Sequence, residues 1–271
     1  MLAALKHRQS ERRYAWAALS GVLAGLAALT RGNGIVMLVP LVLLVWGERP
    51  WRSWRAARAP VALLAATLLT LIPWTIRNAE QFHQFVPIST ETGYALAGTY
   101  NPVVQHDPKY PALWRFPATE LLTDFRLHPH ANEAQVSDRL TSQALRYVGN
   151  HPGSVLRTAF WSVMRAFNFT GTGVENYLAP YHGWAKGLTD ASVYAFWLVL
   201  ALAVAAALAG AAKVIPKPLW AWPIVILVSA VIFEGDTRYR SPTDPFFIVL
   251  AALAVSLAWE RSRARLRSAA A

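Results

Sequence analysis

The chain has 271 residues, of which 55% are hydrophobic and only 15% are charged, and its formal net charge is +11. Soluble domains carry about a quarter charged residues, so this composition is poor in charge. The absence of cysteine excludes a disulfide framework, a thiolate metal site and a cysteine nucleophile. Because the basic residues alternate with long apolar runs, the pattern is typical of a polytopic membrane protein, and the positive charge does not indicate a nucleic-acid partner.

Uncharged apolar runs predict six membrane-spanning helices, over 14–30, 32–47, 59–76, 191–212, 218–233 and 245–259. A span takes about 20 apolar residues, a length that the run over 191–212 reaches. The shorter runs have Arg, Lys or Trp at their ends, and these side chains can reach the membrane interface. We therefore expect an all-α polytopic membrane protein of about six transmembrane helices, the first two forming a hairpin.

The distribution of basic residues predicts the orientation of these spans. With a cytoplasmic N-terminus, the inside segments hold 14 Lys and Arg residues against three Glu, and the outside segments hold 12 basic and 12 acidic residues. The positive-inside rule then puts both termini in the cytoplasm, where the basic segments meet anionic lipid. A signal peptide is the alternative for the first run, but no small-residue cleavage site precedes Arg31.

The segment over 75–190 is too long for a structureless loop and predicts a small extracytoplasmic domain of mixed, mainly helical structure. Its Pro-, Gly- and Asn-rich part over 87–117 predicts turns and short extended pieces. One helix is expected over 132–150 and another from Pro152 to Phe169. The apolar stripe of the second helix fits either the membrane surface or the core of the loop domain.

The expected organisation has four parts. They are an N-terminal membrane part (1–74), the extracytoplasmic loop domain (75–190), a C-terminal membrane part (191–260) and a basic cytoplasmic tail (261–271).

Three outside-facing stretches carry candidate functional residues. Thr30 to Gly34 holds Arg31 and Asn33, which suit either a hairpin turn or a phosphate contact. Trp74 and Arg77 follow the third span, where anchoring in the interface is the simpler interpretation. The link 233–242 contains Glu234, Asp236, Arg238, Tyr239 and Arg240. Two arginines flanking a tyrosine can bind a phosphate while the ring meets a sugar or an isoprenoid chain, and a plain charged turn is the alternative.

Cofactor motifs are absent from the sequence. There is no Walker loop, dinucleotide fingerprint or nucleophile elbow. His128 and His130 lack a third ligand, so no metal site is assigned, although a divalent metal stays open.

In order along the chain, these stretches resemble conserved regions of bacterial integral-membrane glycosyltransferases of family 39, the relatives of protein O-mannosyltransferases and aminoarabinose transferases. Residues 25–34 resemble "LAxLTRPNG", and 73–78 with 85–94 resemble "PWTIRN…FVPIST…GY". Residues 150–153 resemble "HPG", and 236–245 resemble "RYRxPxxP".

The resemblance implies a GT-C fold and transfer of a sugar from a polyprenyl-phosphate donor to a glycan, lipid or protein acceptor at the outer face of the bacterial inner membrane. It implies phosphate contacts at Arg31, Arg238 and Arg240, a site wall at Tyr239 and Asn33, and weaker candidates in Arg77 and Asp236. The leaving phosphate develops negative charge. Arginines at the depth of the membrane would stabilise this charge more strongly than they would in water.

Members of that family are about twice as long, and their general-base carboxylate lies in a first outer loop. The chain therefore resembles their C-terminal portion, and we expect either a fragment or a second polypeptide that supplies the remainder. Two alternatives stay open. One is a non-catalytic membrane scaffold or subunit. The other is a transporter component, against which the uncharged span interiors argue.

Overall fold

The computed structural model describes residues 1–7, 10–46, 53–233 and 235–269. In this part of the chain every regular element is a helix. The α-helices are α1 (Leu2–His7), α2 (Arg13–Thr30), α3 (Leu38–Val45), α4 (Trp54–Phe82), α5 (Glu91–Thr99), α6 (Pro102–Gln105), α7 (Ala118–Leu127), α8 (Glu133–Asn150), α9 (Gly153–Ala166), α10 (Gly173–His182), α11 (Lys186–Leu208), α12 (Ala221–Phe233), α13 (Thr237–Arg240) and α14 (Asp244–Ala269).

Three helical segments of the described chain are long and apolar enough to cross a membrane: Trp54–Phe82, Lys186–Leu208 and Thr237–Arg263. Two further apolar segments, Gly32–Val45 and Lys217–Val231, are shorter. The prediction of an all-helical protein with membrane-spanning helices is confirmed at this level. The count of six spans stays a prediction.

Several helix ends differ from those that hydropathy predicts. Helix α4 continues past position 76 to Phe82, and α11 begins at Lys186 rather than 191. These extra turns contain polar residues. Hydropathy alone therefore did not predict them, although the residues are helical in the structure. The expected span over 32–47 is a 3-10 turn over Gly32–Met37 followed by the eight residues of α3, because Gly, Asn and Gly disfavour a regular helix. Gly47 lies outside the described residues.

Helices α2 and α4 pack closely because small residues line their contact. A Cβ at Gly21 would overlap the carbonyl of Leu63, and one at Gly25 would lie 2.7 Å from the Cβ of Thr70. The Thr67 hydroxyl donates to the Gly21 carbonyl at 2.9 Å. Small residues and hydroxyl hydrogen bonds are the common means of joining helices in membranes. This contact fixes the end of α2, and with it Arg31, beside the end of α4.

The segment between α4 and α11 (residues 83–185, the connecting region) contains α5 to α10. The expected helix over 132–150 is confirmed as α8, which begins with a capping box between Asn132 and Gln135. Helix α9 follows Pro152 as expected but ends at Ala166, and Asn168 then has a φ of 57°.

The expectation of turns and extended pieces over 87–117 is wrong for its central part, where α5 and α6 form. Helix α5 packs on α8, since Gly93 brings its backbone against Ser137, and Ala97, Val136 and Leu140 form a buried cluster there. This tertiary contact overrides the local preference of a Gly- and Thr-containing segment.

Candidate functional site

A cavity of about 450 Å³ lies between the end of α2, Trp74 of α4, the short helix α13 and the first part of the connecting region. Three of the stretches singled out in the sequence meet there, although they come from distant parts of the chain. The described residues that line it are Leu29, Thr30, Arg31, Gly32, Trp74, Ile88, Ser89, Glu91, Tyr94, Ala95, Trp114, Phe116, Arg238 and Tyr239.

Two arginines meet one aromatic ring on one side of the cavity. The guanidinium carbon of Arg31 lies 4.4 Å from the centre of the Tyr239 ring, and that of Arg238 lies 5.1 Å from it. An Nη2 atom of Arg238 is also 3.5 Å from the Tyr239 hydroxyl. Stacking on an aromatic ring fixes a guanidinium while leaving its edge able to donate. This side of the cavity can therefore hold an anionic group with several donors.

The turn that presents Arg238 and Tyr239 is held by buried polar groups. Asp236 caps α13, and its carboxylate accepts from the Arg238 backbone N–H at 3.3 Å. The Thr237 hydroxyl donates to the Glu175 carboxylate on α10. Burial raises the pKa of Glu175 above its usual range. Asp236 is thus a positioning residue in this structure, and Glu234 lies outside the described residues.

Arg240 points away from the cavity. Its side chain is 2% exposed. It donates to the Ala166 carbonyl at 2.7 Å, pairs with Asp244 at 3.0 Å, and its guanidinium carbon lies 3.3 Å from the centre of the Phe196 ring. These contacts join α9, α11 and α14. Arg240 is therefore a structural arginine in this fold, and the expected phosphate contact at this position is not part of the site we assign.

Two indoles line another side of the cavity, each held by its N–H. The Trp74 N–H donates to the Ile88 carbonyl at 2.8 Å, and the Trp114 N–H donates to the Tyr94 carbonyl at 3.3 Å. A Cβ at position 98 would overlap the Trp114 indole nitrogen. Glycine at this position of α5 therefore leaves room for the Trp114 ring to pack against the helix. With their polar atoms already bonded to backbone, the two indoles contribute ring surface to the cavity lining.

A buried arginine connects two segments of the cavity wall. Arg165 on α9 donates to the carbonyls of Pro111 and Ala112, both at 2.8 Å, and to the Gly235 carbonyl at 3.2 Å. The first two carbonyls precede Trp114 in the chain, and the third precedes the turn that carries Arg238. The sequence indicated only that Arg165 lies off the apolar stripe of α9, so its partners could not be foreseen.

The remaining expected residues lie near the cavity but outside its lining. Arg77 lies over the Trp74 ring at 5.0 Å and donates to Asn78 at 3.1 Å, which fits the anchoring interpretation. Asn33 is exposed in the 3-10 turn after Arg31. Among the described lining residues Glu91, the first residue of α5, supplies a carboxylate. Trp114 and Phe116 were missed as site residues, since no local pattern marks them.

Within the described residues, no group of three or more His, Asp or Glu side chains gathers in a way that could hold a metal ion. The described lining combines two arginines with several aromatic rings, an arrangement that suits an amphiphile. Comparisons with protein-family models, with characterised proteins and with solved structures found no match to this chain.

Proposed function

We propose that the cavity binds a polyprenyl-phosphate-linked sugar, and that the chain is the donor-binding part of a GT-C membrane glycosyltransferase related to family 39. The observation that carries this proposal is the pair of arginines on the Tyr239 ring inside a cavity with an aromatic wall. A phosphate fits the arginine donors, and a prenyl chain or sugar ring fits the indole faces.

The chemistry would follow from this arrangement. An acceptor hydroxyl oxygen bonds to the anomeric carbon of the sugar, the bond from that carbon to the phosphate oxygen breaks, and the phosphate leaves with the electron pair. Arg31 and Arg238 would stabilise the charge that develops on the phosphate. The hydroxyl proton needs a base. Glu91 is a carboxylate of the described cavity lining, and a carboxylate on another polypeptide is the alternative.

Direct binding tests the proposal without requiring a complete enzyme. The purified chain in lipid nanodiscs is titrated with a short polyprenyl phosphate and with the corresponding polyprenol, which lacks the phosphate. We expect the phosphate to bind more tightly, and Arg31→Gln and Arg238→Gln each to weaken it by about tenfold through loss of charge-assisted hydrogen bonds.

The matched control is Arg146→Gln on the exposed side of α8, which removes the same charge away from the cavity. Equal affinity for the phosphate and the alcohol, or equal losses in all three variants, would contradict the proposal. Sugar transfer can then be measured in cells that supply the whole pathway.

The proposed location is the bacterial inner membrane, with both termini in the cytoplasm and the connecting region outside. The cysteine-free sequence suits labelling. Cysteines at Arg55 and Val103, both exposed, should react with an impermeant reagent from opposite sides of the membrane. Reaction from the same side would overturn this topology.

A further inference from the structure

Helix α9 has its polar and apolar sides reversed relative to a helix that packs on a protein core in water. Its buried residues are three small hydroxyl residues, one arginine and one alanine, namely Ser154, Thr158, Ser162, Arg165 and Ala166. Its outward side is apolar. Leu156 is 75% exposed and Phe160 is 57% exposed, and Val155 and Val163 lie beside them.

Thr158, Ser162 and Arg165, three of the four buried polar side chains of α9, have hydrogen-bond partners inside the protein, and the Ser154 hydroxyl has none among the described residues. The Thr158 hydroxyl accepts from the Gln105 amide at 2.8 Å, and the Ser162 hydroxyl accepts from the Gly235 N–H at 3.1 Å. A Cβ at Gly235 would overlap Ser162, so backbone and helix are in close contact. Small polar residues facing the protein, with apolar residues facing outward, are typical of helices immersed in lipid.

The neighbours of α9 also carry exposed apolar residues. Helix α9 packs on α12, whose own outward residues Ile224 and Val228 are both more than half exposed. Phe169, directly after α9, is also mostly exposed. In water so many exposed apolar side chains on packed helices would be costly, which indicates a partner that covers them.

We infer that the outward face of α9, formed by Val155, Leu156, Phe160 and Val163, is inserted in the interfacial layer of the same bilayer that α4, α11 and α14 cross. Arg157, exposed at the edge of this face, is placed to reach the headgroups. The helix is thus a monotopic anchor of the connecting region rather than a part of its core. This inference does not depend on sugar transfer, and it selects the membrane-surface alternative that the sequence left open.

Depth measurements by spin labelling test it in the full chain. Single cysteines replace Leu156 and Phe160, which are both more than half exposed. Leu198, exposed in the middle of α11, serves as the lipid-facing reference, and Ser142, exposed on α8, serves as the aqueous reference. Each labelled variant is reconstituted in nanodiscs and exposed to oxygen and to a water-soluble nickel complex.

We expect the labels at 156 and 160 to collide preferentially with oxygen, as the label at 198 does. A label that meets the nickel complex as readily as the label at 142 would overturn the inference. Protection from both reagents, with dipolar broadening between labels, would assign the face to a second copy of the chain and would equally overturn it.

Discussion

Arg31 and Tyr239 are far apart in the chain but in contact in the structure, with the guanidinium carbon of Arg31 4.4 Å from the centre of the Tyr239 ring. Arg31 directly follows α2 as its C-cap, and Tyr239 belongs to α13, the short helix before α14. The contact exists because α2 is held against α4 by glycines and because the turn of α13 is held by Asp236 and Thr237. The Arg31–Tyr239 contact therefore depends on α2 and α13, and other contacts hold each of these helices in place.

The Tyr239 ring should contribute more to the affinity for a polyprenyl phosphate than the Tyr239 hydroxyl does. Tyr239→Phe keeps the surface on which Arg31 and Arg238 stack, so affinity for a polyprenyl phosphate should stay near the wild-type value. Tyr239→Ala removes two cation–π contacts of about 0.5–1 kcal/mol each and should weaken binding by about tenfold. Titration in nanodiscs measures both. Equal losses in the two variants would mean that the hydroxyl binds the ligand.

Arg238 and Arg240 should separate binding from stability. Arg240→Gln strands Asp244 and the Ala166 carbonyl, and should destabilise the protein by about 2 kcal/mol while the folded molecules keep their affinity. Arg238→Gln should instead weaken ligand binding and leave the stability of the protein nearly unchanged. Thermal unfolding in detergent and ligand titration are measured on the same samples. If fully folded Arg240→Gln protein bound the ligand more weakly than wild type, Arg240 would have to be assigned to the binding site.

Gly98 should be intolerant of a methyl group. Gly98→Ala places a Cβ against the Trp114 indole and the Arg115 carbonyl, so Trp114 must move from the cavity wall at a cost of about 1–3 kcal/mol. Ligand-induced tryptophan fluorescence changes and affinity should both fall. Gly149→Ala in α8 is the control, because nothing lies near the added atom. It should stabilise the protein by about 0.5 kcal/mol.

The pair of Asp124 and Arg139 should make the attachment of α7 to α8 sensitive to acid. Hydrogen bonds from Arg139 hold the pKa of the buried Asp124 below its usual range. Its stabilising contribution is present above the pKa of Asp124 in the unfolded chain and is lost as the pH falls through the lower folded value. Asp124→Asn should therefore cost about 2 kcal/mol at neutral pH and progressively less in acid.

Unfolding of wild type and Asp124→Asn between pH 7 and pH 3 measures this effect, with Arg126→Gln on the same helix as the control. The difference between wild type and Asp124→Asn should shrink as the pH falls. A difference that is constant across this range would show that charge is not the source of the stability.

Local signals predicted the elements that depend on local chemistry. The capping box at Asn132 defines the start of α8, and long apolar runs define the cores of α4, α11 and α14. The boundaries of these helices were predicted less well, because hydropathy stops at the first polar residue although a helix does not. Helix α5 was missed because its stability comes from packing on α8.

The site could be predicted only in part, for a geometric reason. Arg238 and Arg240 look equivalent in a loop, but successive helical residues are about 100° apart, so two residues separated by one position point to nearly opposite sides. A short helix at 237–240 therefore sends one arginine to the cavity and the other into the protein. Trp114 enters the lining through a long-range contact with α5, which no local pattern reports.

The bonds of Arg165 have a consequence for the interpretation of loss-of-function variants. One guanidinium sets the spacing between the segment before Trp114 and the segment before Asp236, yet it is buried on α9 and does not line the cavity. A genetic screen for inactive variants should therefore recover position 165 alongside positions 31 and 238. A hit there would report a change in the width of the cavity, not the loss of a group that touches the ligand.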